Sequence, residues 1–585
     1  MPEANGAKAK TPERLGAVGE CAGRSRNAAG VAERLLYLPE NYTRMDKLER
    51  LQKIDRSQEI GGFAIQLYFW SRSPRVLVTG SLAILFIALG LAWFWQKPIA
   101  EPGSDQAQEI RSELAKAKPS VGVIIAALQS APRESFGLGI GADDVAKSQL
   151  GAPDKMLLNA VVSSASEWPP EANADLLYLA HYVRPVRHAN EVIGDFHLGA
   201  GRSEAALPYF QREARFADAK SARAKLVALQ LEKRDFAGAK VLMKDPKFTG
   251  EFSTSSQLQL AAGERRWDEV MKLILVLARE AFQPMPLMLT AVAGVVWLII
   301  ALQAIQPSSV FSLRIVLPLV AVAAGMASTV PTLFAVVFEE ELWSLQQTND
   351  FLLDIPYYLI GVAPREELIK LLFVLPFVPI FLIRNQRLET LVIGGCVGLG
   401  FAVQENLQYF AEVGPTAAFG RFLTANFFHF AATGLIGLAL CDWLRSPVRG
   451  LLPFLVTLVA VIVAHGCYDA FIVISDRDLI ALNLISTMSF MLLAIAFFRQ
   501  LRLVRAPSTD HFSIAGTLIL GISLLAGLVL VCASMAVGFI PALVMLSFTA
   551  FSLVMITYMF YWQLGEGMSH AAAEESAISR PFAHA

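Results

Sequence analysis

About ten stretches of roughly 20 apolar residues constrain this chain more than any other feature of its sequence. A helix of that length crosses the hydrocarbon core of a bilayer. The composition agrees, since 54% of the residues are hydrophobic and 17% are charged, whereas a soluble domain has about 25% charged residues. We therefore predict an all-α fold, a polytopic membrane helix bundle. The predicted transmembrane helices are residues 76–95, 284–305, 313–337, 365–384, 390–411, 420–441, 451–474, 479–499, 513–537 and 539–562.

These helices divide the chain into segments. The long stretch between the first two spans is large enough to form a domain of its own. The predicted organisation is a cytoplasmic, partly disordered N-terminal segment 1–75, a first transmembrane helix 76–95, a helical insertion 97–282, two transmembrane helices within 284–345, a membrane core 350–500, a C-terminal transmembrane hairpin 513–562 and a cytoplasmic tail 563–585.

The insertion 97–282 carries a weak repeat in its second half. Ala206, Ala239 and Val270 occupy equivalent points, 33 and 31 residues apart, each after a short polar turn between two apolar helical runs. Helix–turn–helix units with a period near 34 resemble tetratricopeptide repeats (TPR). We therefore expect an all-α, TPR-like soluble domain that binds a protein or peptide partner. An ordinary helical bundle remains the alternative, because the full repeat signature is absent.

Basic residues in the short loops set the predicted orientation. Arg384 with Arg387, and Arg445 with Arg449, fall on the same side of the bundle as the N-terminal segment. The acidic run 339–341 falls on the other side. Because cytoplasmic loops carry an excess of Lys and Arg, we predict a multi-pass protein of the cell (inner) membrane, with its N-terminus in the cytoplasm and its insertion outside it.

The net charge and the cysteines argue against two other classes of protein. A net charge of −1 provides no field that would attract nucleic acid. Four of the five cysteines lie in or at the ends of apolar spans, and none lies in the insertion. Neither a disulfide framework nor a thiolate zinc finger is therefore expected.

The ionisable residues well inside the spans are confined to four consecutive helices, the fourth to the seventh. Each costs on the order of 2.5–3.5 kcal/mol at the centre of a bilayer, so a cluster of them requires a reason. At about 1.5 Å per residue, three of them lie roughly 9–13 Å from the outer ends of their helices. We therefore expect one buried polar site in the outer half of the membrane. Its members are Glu366, Glu367, Lys370, Glu405, His429, His465 and Asp469.

Spacing along each helix predicts pairs within this set. Glu366 and Lys370 are four residues apart with the acid first, the favourable order for an ion pair on one helix face. That pairing makes Glu367 the favoured general base, although the sequence does not separate the roles of the two glutamates. His465 and Asp469 are also four residues apart, so the carboxylate can orient the imidazole.

These side chains allow two hydrolytic mechanisms. Two histidines and a glutamate are a known zinc ligand set, with a further glutamate as base. Because the HExxH arrangement is absent, such ligands must come from separate helices, and the candidates are His429, His465 and Glu405. Alternatively, a glutamate activates water without a metal, while histidine and asparagine side chains such as Asn406 stabilise the oxyanion.

Each residue alone also has a structural explanation. Glu366 with Lys370 can be an ion pair at a helix end, His429 can be a packing histidine, and Glu405 with Asn406 can join helices by hydrogen bonds. Two other functions use the same residues: a proton-coupled transporter, and a catalytically inactive scaffold whose insertion recruits partners. The spans show no inverted repeat of the transporter kind. The concentration of the polar set in consecutive helices favours a catalytic site.

Four motifs of the membrane core occur in a familiar order. They are REELIK (365–370), GLGFAVQENLQYF (398–410), HFAATGLIG (429–437) and AHGCYDAF (464–471). The first contains a Glu-Glu-x-x-Lys signature, the second a Phe-Ala-x-x-Glu-Asn signature, and the others each begin around a histidine. Together they resemble the PrsW family of intramembrane proteases, which is distantly similar to the CAAX prenyl endopeptidases and the bacteriocin-processing membrane proteases. The resemblance covers about residues 350–500.

The resemblance implies a membrane metallopeptidase whose active site faces the outer half of the bilayer. Its substrate would be a membrane protein, and its cofactor Zn²⁺. The family's cleavage of an anti-sigma factor implies a regulatory role, but the substrate is not carried over, because residues 1–340 and the C-terminal hairpin have no counterpart. Residue by residue, the family implies Glu366, Glu367, Glu405, His429 and His465 as the active-site set, to which we add Lys370, Asn406 and Asp469 in support.

Overall fold

The computed structural model describes most of the chain between residues 70 and 564. The predicted N-terminal segment 1–75 and the predicted tail 563–585 lie almost wholly outside the described residues. All described helices belong to one compact unit. The described ranges are 70–71, 73–97, 104–130, 140–164, 174–181, 186–305, 312–345, 347–348, 351–475, 483–504 and 513–564.

Helices joined by short turns make up the described residues, and no strand occurs among them. The prediction of an all-α fold is confirmed. In chain order the α-helices are α1 (Pro74–Trp95), α2 (Ser104–Leu114), α3 (Val121–Ser130), α4 (Ala142–Lys147), α5 (Ala152–Ser164), α6 (Ala174–His181), α7 (Ala189–Gly199), α8 (Ser203–Glu213), α9 (Lys220–Glu232), α10 (Phe236–Lys244), α11 (Thr254–Gly263), α12 (Trp267–Glu280), α13 (Pro284–Ile305), α14 (Leu313–Trp343), α15 (Phe351–Pro356), α16 (Ala363–Val374), α17 (Val378–Arg384), α18 (Arg387–Glu412), α19 (Ala417–Leu423), α20 (Ala425–Arg445), α21 (Pro447–Ser475), α22 (Asn483–Val504), α23 (Ile514–Val537), α24 (Phe539–Ser552) and α25 (Val554–Leu564).

Eight helical segments in the described part of the chain are long and apolar enough to cross a membrane. They are α1, α13, α14, α18, α19 with α20, α21, α22 and α23. A ninth candidate is the pair α24 and α25, which are bent by 53° at their junction. The protein is therefore a multi-pass membrane protein, with eight or nine candidate spans rather than about ten.

The predicted span 365–384 is not among these candidates. The chain there forms short helical pieces: α15, a π-helix (Tyr357–Val362), α16, a 3₁₀ turn (Leu375–Phe377) and α17. Four prolines occur between residues 356 and 379, and proline removes a backbone donor and clashes with the preceding turn. The polar motif at 365–370 therefore begins directly after a π-helical segment, a geometry that is frequent at functional sites.

Three helical hairpins form the second half of the insertion: α7 with α8, α9 with α10, and α11 with α12. Each turn has one residue with positive φ, namely Gly201 (70°), Arg234 (57°) and Arg265 (58°). In each, the N–H of the next residue donates to the carbonyl five residues earlier, as in a Schellman ending. The sequence repeat is thus a repeated helical hairpin, whereas its likeness to TPR stays a prediction. The residues predicted as equivalent, Ala206, Ala239 and Val270, are all fully buried.

The insertion packs directly on the long helix α14. The Trp267 ring of α12 lies 6.0 Å from the Phe334 ring and 5.3 Å from the Phe338 ring, between centroids. Arg234, in the turn of the second hairpin, forms an ion pair with Glu341 at the end of α14. The last two hairpins are therefore fixed to a membrane-spanning helix.

Helix α18 lies at the centre of the membrane core, between α14 and α20. Glycines make the close approach possible on both sides. A Cβ at Gly325 of α14 would lie 1.9 Å from the Val397 carbonyl oxygen, and one at Gly398 would lie 2.0 Å from the His429 carbonyl oxygen. Gly398 therefore fixes the distance between α18 and the helix segment that carries His429.

Basic residues cluster at one end of this core. Arg387 lies 2.7 Å from Asp442, and Arg314 and Arg384 both contact Glu389 at 2.6 Å. Glu389 and Glu405 are 16 residues apart on α18, about 24 Å along the helix. The arginines and the predicted polar site thus lie at opposite ends of the core. Which end faces the cytoplasm stays a prediction.

Candidate active site

Helix α16 supplies three charged side chains. It begins at Ala363 with Pro364 in its first turn, where proline costs no intrahelical hydrogen bond. Glu367 and Lys370 are fully buried, whereas the Glu366 side chain keeps 13% of its exposure. REELIK thus places its charges inward against the neighbouring helices.

Lys370 holds this site together. Its Nζ donates to Glu366 Oε2 at 3.1 Å and to Glu367 Oε1 at 2.9 Å. It also donates to Nδ1 of His429 on α20 at 2.9 Å, and it lies 3.9 Å from the centroid of the Phe401 ring on α18. The predicted pair of Lys370 with Glu366 is present, and Lys370 also contacts Glu367, which spacing alone did not indicate.

His465 joins the site from α21. Its Nδ1 lies 2.8 Å from Glu367 Oε1, and its Nε2 lies 3.7 Å from Glu366 Oε2 and 3.2 Å from Asp469 Oδ2. The Nδ1 contact is short but lacks the alignment of a hydrogen bond. Gly466, the next residue, packs where a Cβ would lie 2.8 Å from the Leu359 Cα of the π-helical segment. That close approach brings α21 against the residues that precede α16.

Glu405 reaches the site from α18. Its Oε2 lies 3.1 Å from His429 Nε2. Since the Lys370 ammonium can only donate, Nδ1 of His429 accepts, and this network assigns the ring proton to Nε2, which donates to Glu405. Asn406, the next residue, donates from Nδ2 to Asn426 Oδ1 at 2.7 Å. His429 is thus held from both sides.

Arg421 of α19 is the residue that sequence reasoning missed. Its Nη2 lies 2.8 Å from Glu405 Oε2, and its Nε donates to Asn406 Oδ1 at 2.5 Å. Arg421 lies at the start of the predicted span 420–441, and arginines are common at the ends of membrane-spanning helices, so its position did not indicate a functional role. The cost of a cation in an apolar segment was the signal that could have identified it.

The structure brings all the predicted site residues into one network. Five helices contribute to it: α16, α18, α19, α20 and α21. The network contains Glu366, Glu367, Lys370, Glu405, Asn406, His429, His465 and Asp469, together with Arg421 and Asn426.

The donor set fits a divalent cation. Glu366, His429 and His465 each offer one ligand atom, and these atoms lie within 4.8 Å of one another. Four acidic side chains, Glu366, Glu367, Glu405 and Asp469, face two permanent cations, Lys370 and Arg421, so acidic groups outnumber permanent cations in the cluster. Glu367 Oε2 and His465 Nδ1 are buried without a hydrogen-bond partner. Buried polar atoms normally have a partner, so these two atoms are consistent with a bound ion or water at the site. The geometric group contains Glu366, whereas the predicted ligand Glu405 contacts His429 and Arg421.

A second group of this kind lies in the insertion, formed by His188, Glu191 and Glu213. Here Arg187 already supplies the cation, since its Nη1 contacts all three side chains. Burial works against the charge of Glu191, but hydrogen bonds from His188, Ser221 and Arg187 and the charge of Lys225 keep its pKa well below the usual range. Burial raises the pKa of Glu213. The group is therefore an ion network of the insertion.

Fold and site together define a class: a helical, multi-pass membrane protein with a buried centre of carboxylates and histidines drawn from four helices. A model described as PrsW family intramembrane metalloprotease matches residues 314–498. The membrane core of this chain is therefore similar to the PrsW family, and the resemblance that the four motifs indicated is confirmed. The match begins inside α14, earlier than the motifs alone indicated. No curated protein and no solved structure gives a significant match to the chain.

Proposed function

We propose that this chain is an intramembrane metallopeptidase that hydrolyses peptide bonds of membrane-protein substrates near the outer face of the cell membrane, as a step in regulatory proteolysis. The family match supports the protease class. The observation that carries the proposal is the convergence of Glu366, Glu367, Lys370, Glu405, His429 and His465 on one buried network.

Glu366 is the proposed general base. Its side chain retains 13% exposure, whereas Glu367 has none, and a base must reach the water that it activates. The contacts of Glu366 to Lys370 and His465 are both made by Oε2, which makes Oε1 the proposed proton acceptor. This assignment reverses the preference for Glu367 that spacing alone gave.

Glu367 and Lys370 have positioning roles in this proposal. Glu367 is fully buried between Lys370 and His465, so it neutralises the ammonium and orients the imidazole. Lys370 in turn fixes the glutamate pair. A metal ion, Zn²⁺ by the ligand types, would be held by His429 and His465 in place of the Lys370 contact to His429, and it would polarise the scissile carbonyl and the water that Glu366 deprotonates.

Cleavage of a reporter in vesicles tests this function. The substrate would be a single-span membrane protein with a fluorophore and a quencher on either side of its outer membrane boundary. We expect the purified protein to cleave it, and Glu366→Gln and His429→Ala to abolish cleavage while the variants remain folded and inserted. Glu389→Gln is the matched control, because it changes an ion-paired carboxylate at the opposite end of α18. Cleavage that survives both site variants would refute the proposal.

A further inference from the structure

Helix α19 presents Arg421 from a firmly held backbone. The apolar residues Ala418, Phe419, Phe422 and Leu423 around it are buried. The indole Nε1 of Trp297 on α13 donates to the Phe422 carbonyl oxygen at 2.8 Å. The buried neighbours of Arg421 and the hydrogen bond to Phe422 hold the α19 backbone in place. The guanidinium therefore extends into the site from a fixed Cα position.

The guanidinium contacts three residues on one face of α18. Its Nε donates to Asn406 Oδ1, and Nη2 lies 2.8 Å from Glu405 Oε2 as an ion pair without hydrogen-bond alignment. Its Cζ lies 3.8 Å from the centroid of the Tyr409 ring. Only a planar guanidinium can stack on the Tyr409 ring while it contacts Asn406 and Glu405, and the ammonium of a lysine cannot make these contacts together.

The same carboxylate oxygen that faces Arg421 also contacts His429. Glu405 Oε2 lies 3.1 Å from His429 Nε2, and Lys370 donates to Nδ1 on the other side of the ring. Without Arg421, Glu405 would be a partly buried carboxylate that pairs with no other Lys or Arg among the described residues. Burial of an unpaired carboxylate is unfavourable, so the Glu405 side chain would rotate towards water. His429 Nε2 would then lose its hydrogen-bond acceptor.

We propose that Arg421 is a positioning residue of the peptidase: it fixes Glu405, and through Glu405 it holds the orientation of the His429 ring, whose tautomer the Lys370 contact sets. The inference rests on the proposed function only for its effect on catalysis. Arg421 itself remains 18% exposed in its side chain and takes no part in proton transfer.

The experiment combines a spectroscopic and a kinetic readout on the full-length protein in bilayers. The ring nitrogens of His429 are observed by ¹⁵N NMR of histidine-labelled protein and assigned with His429→Ala. In the wild type we expect one tautomer, with the proton on Nε2. In Arg421→Ala we expect the Nε2 resonance to shift, because the Nε2 proton loses its Glu405 acceptor, while Nδ1 still accepts from Lys370. On the single-span reporter, kcat should fall about 10²-fold, the size expected from displacing a positioned group, while KM changes less than about threefold.

Two further variants keep the test decisive. Arg421→Lys retains the charge but not the fork, so it should restore His429 only in part and remain at least about tenfold below the wild type in kcat. Arg445→Ala removes a partly buried arginine from the other end of α20 and should leave the His429 signals unchanged. Unaltered His429 signals in folded Arg421→Ala and Arg421→Lys would overturn the proposal. Failure of the wild type to cleave the reporter would count against the proposed function, and the NMR result would still decide the role of Arg421.

Discussion

At the scale of single residues, the two adjacent glutamates differ in environment more than in sequence. Glu366 reaches the edge of the network, and Glu367 is enclosed between Lys370 and His465. The backbone separates their side chains by about 100° around α16, and the neighbouring helices cover only one of the two directions completely. This asymmetry gives the pair separable roles.

Replacing each glutamate by glutamine should therefore have different effects. Glu366→Gln removes the proposed base, so kcat should fall about 10²- to 10⁴-fold with little change in stability. Glu367→Gln leaves the buried ammonium of Lys370 short of one counter-charge, and loss of one partner of a buried pair costs about 3–5 kcal/mol. Thermal unfolding and reporter kinetics on both variants measure this. If Glu366→Gln were the less stable variant, the two roles would have to be exchanged.

Metal content tests the histidines independently of activity. We expect about one zinc per chain in the purified wild type, and its loss in His429→Ala and in His465→Ala, since each removes a ligand. His188→Ala is the matched control, because His188 belongs to the group in the insertion where Arg187 already supplies the cation. Near-zero zinc in all four proteins would favour the mechanism in which a glutamate activates water without a metal.

At the scale of secondary-structure elements, α14 connects the insertion to α16, which carries the proposed base. Its last turns pack against Trp267 of the insertion, and Glu341 pairs with Arg234. Two residues earlier, Glu339 accepts a hydrogen bond from Arg365 at 2.5 Å. Arg365 directly precedes Glu366, so one helix end contacts both the insertion and the start of the catalytic motif.

The ion pair between Glu339 and Arg365 should therefore affect catalysis without contacting the reacting groups. Both side chains are largely buried, so Glu339→Gln should reduce kcat about tenfold by loosening the start of α16. Because the two residues are in contact, the double variant with Arg365→Gln should show a coupling energy of about 0.5–3 kcal/mol. Glu341→Gln, which breaks only the pair with Arg234, should stay within about twofold of the wild type. Additive effects in the cycle would contradict this account.

At the scale of the whole molecule, contacts place the insertion and the active site at the same end of the core. The arginines around Glu389 and Asp442 lie at the other end. If loops rich in arginine face the cytoplasm, the site opens towards the outside, together with the insertion.

Cysteine labelling in intact cells checks this orientation. In a cysteine-free background, Lys272→Cys on the exposed face of α12 should react with a membrane-impermeant maleimide added outside. Val448→Cys, which is 96% exposed at the opposite end of the core, should react only after the cells are opened. The reverse pattern would place the active site at the cytoplasmic face.

The residues of the polar site were predictable, because charged side chains in an apolar helix are rare and easily recognised in a sequence. The contacts between these residues were not predictable. Glu405, His429 and His465 could be identified by type and depth alone, whereas the contacts of Lys370 with Glu367 and His429 depend on how helices pack. Arg421 escaped because the predicted span began beside it. The span 365–384 was predicted as one helix because hydropathy ignores the four prolines between residues 356 and 379. The repeat of the insertion was visible in Ala206, Ala239 and Val270, since full burial restricts residue size.

The three matching turns of the insertion also suggest a substitution that would stabilise the insertion. Gly201 adopts its positive φ freely, while a residue with a side chain gives up about 1–2 kcal/mol in that conformation. Arg234 recovers part of this through its contact with Glu341, but Arg265 is exposed to solvent. Glycine at position 265 would copy the first turn into the third. The protein purified in detergent would then have a more stable insertion and an unchanged candidate active site.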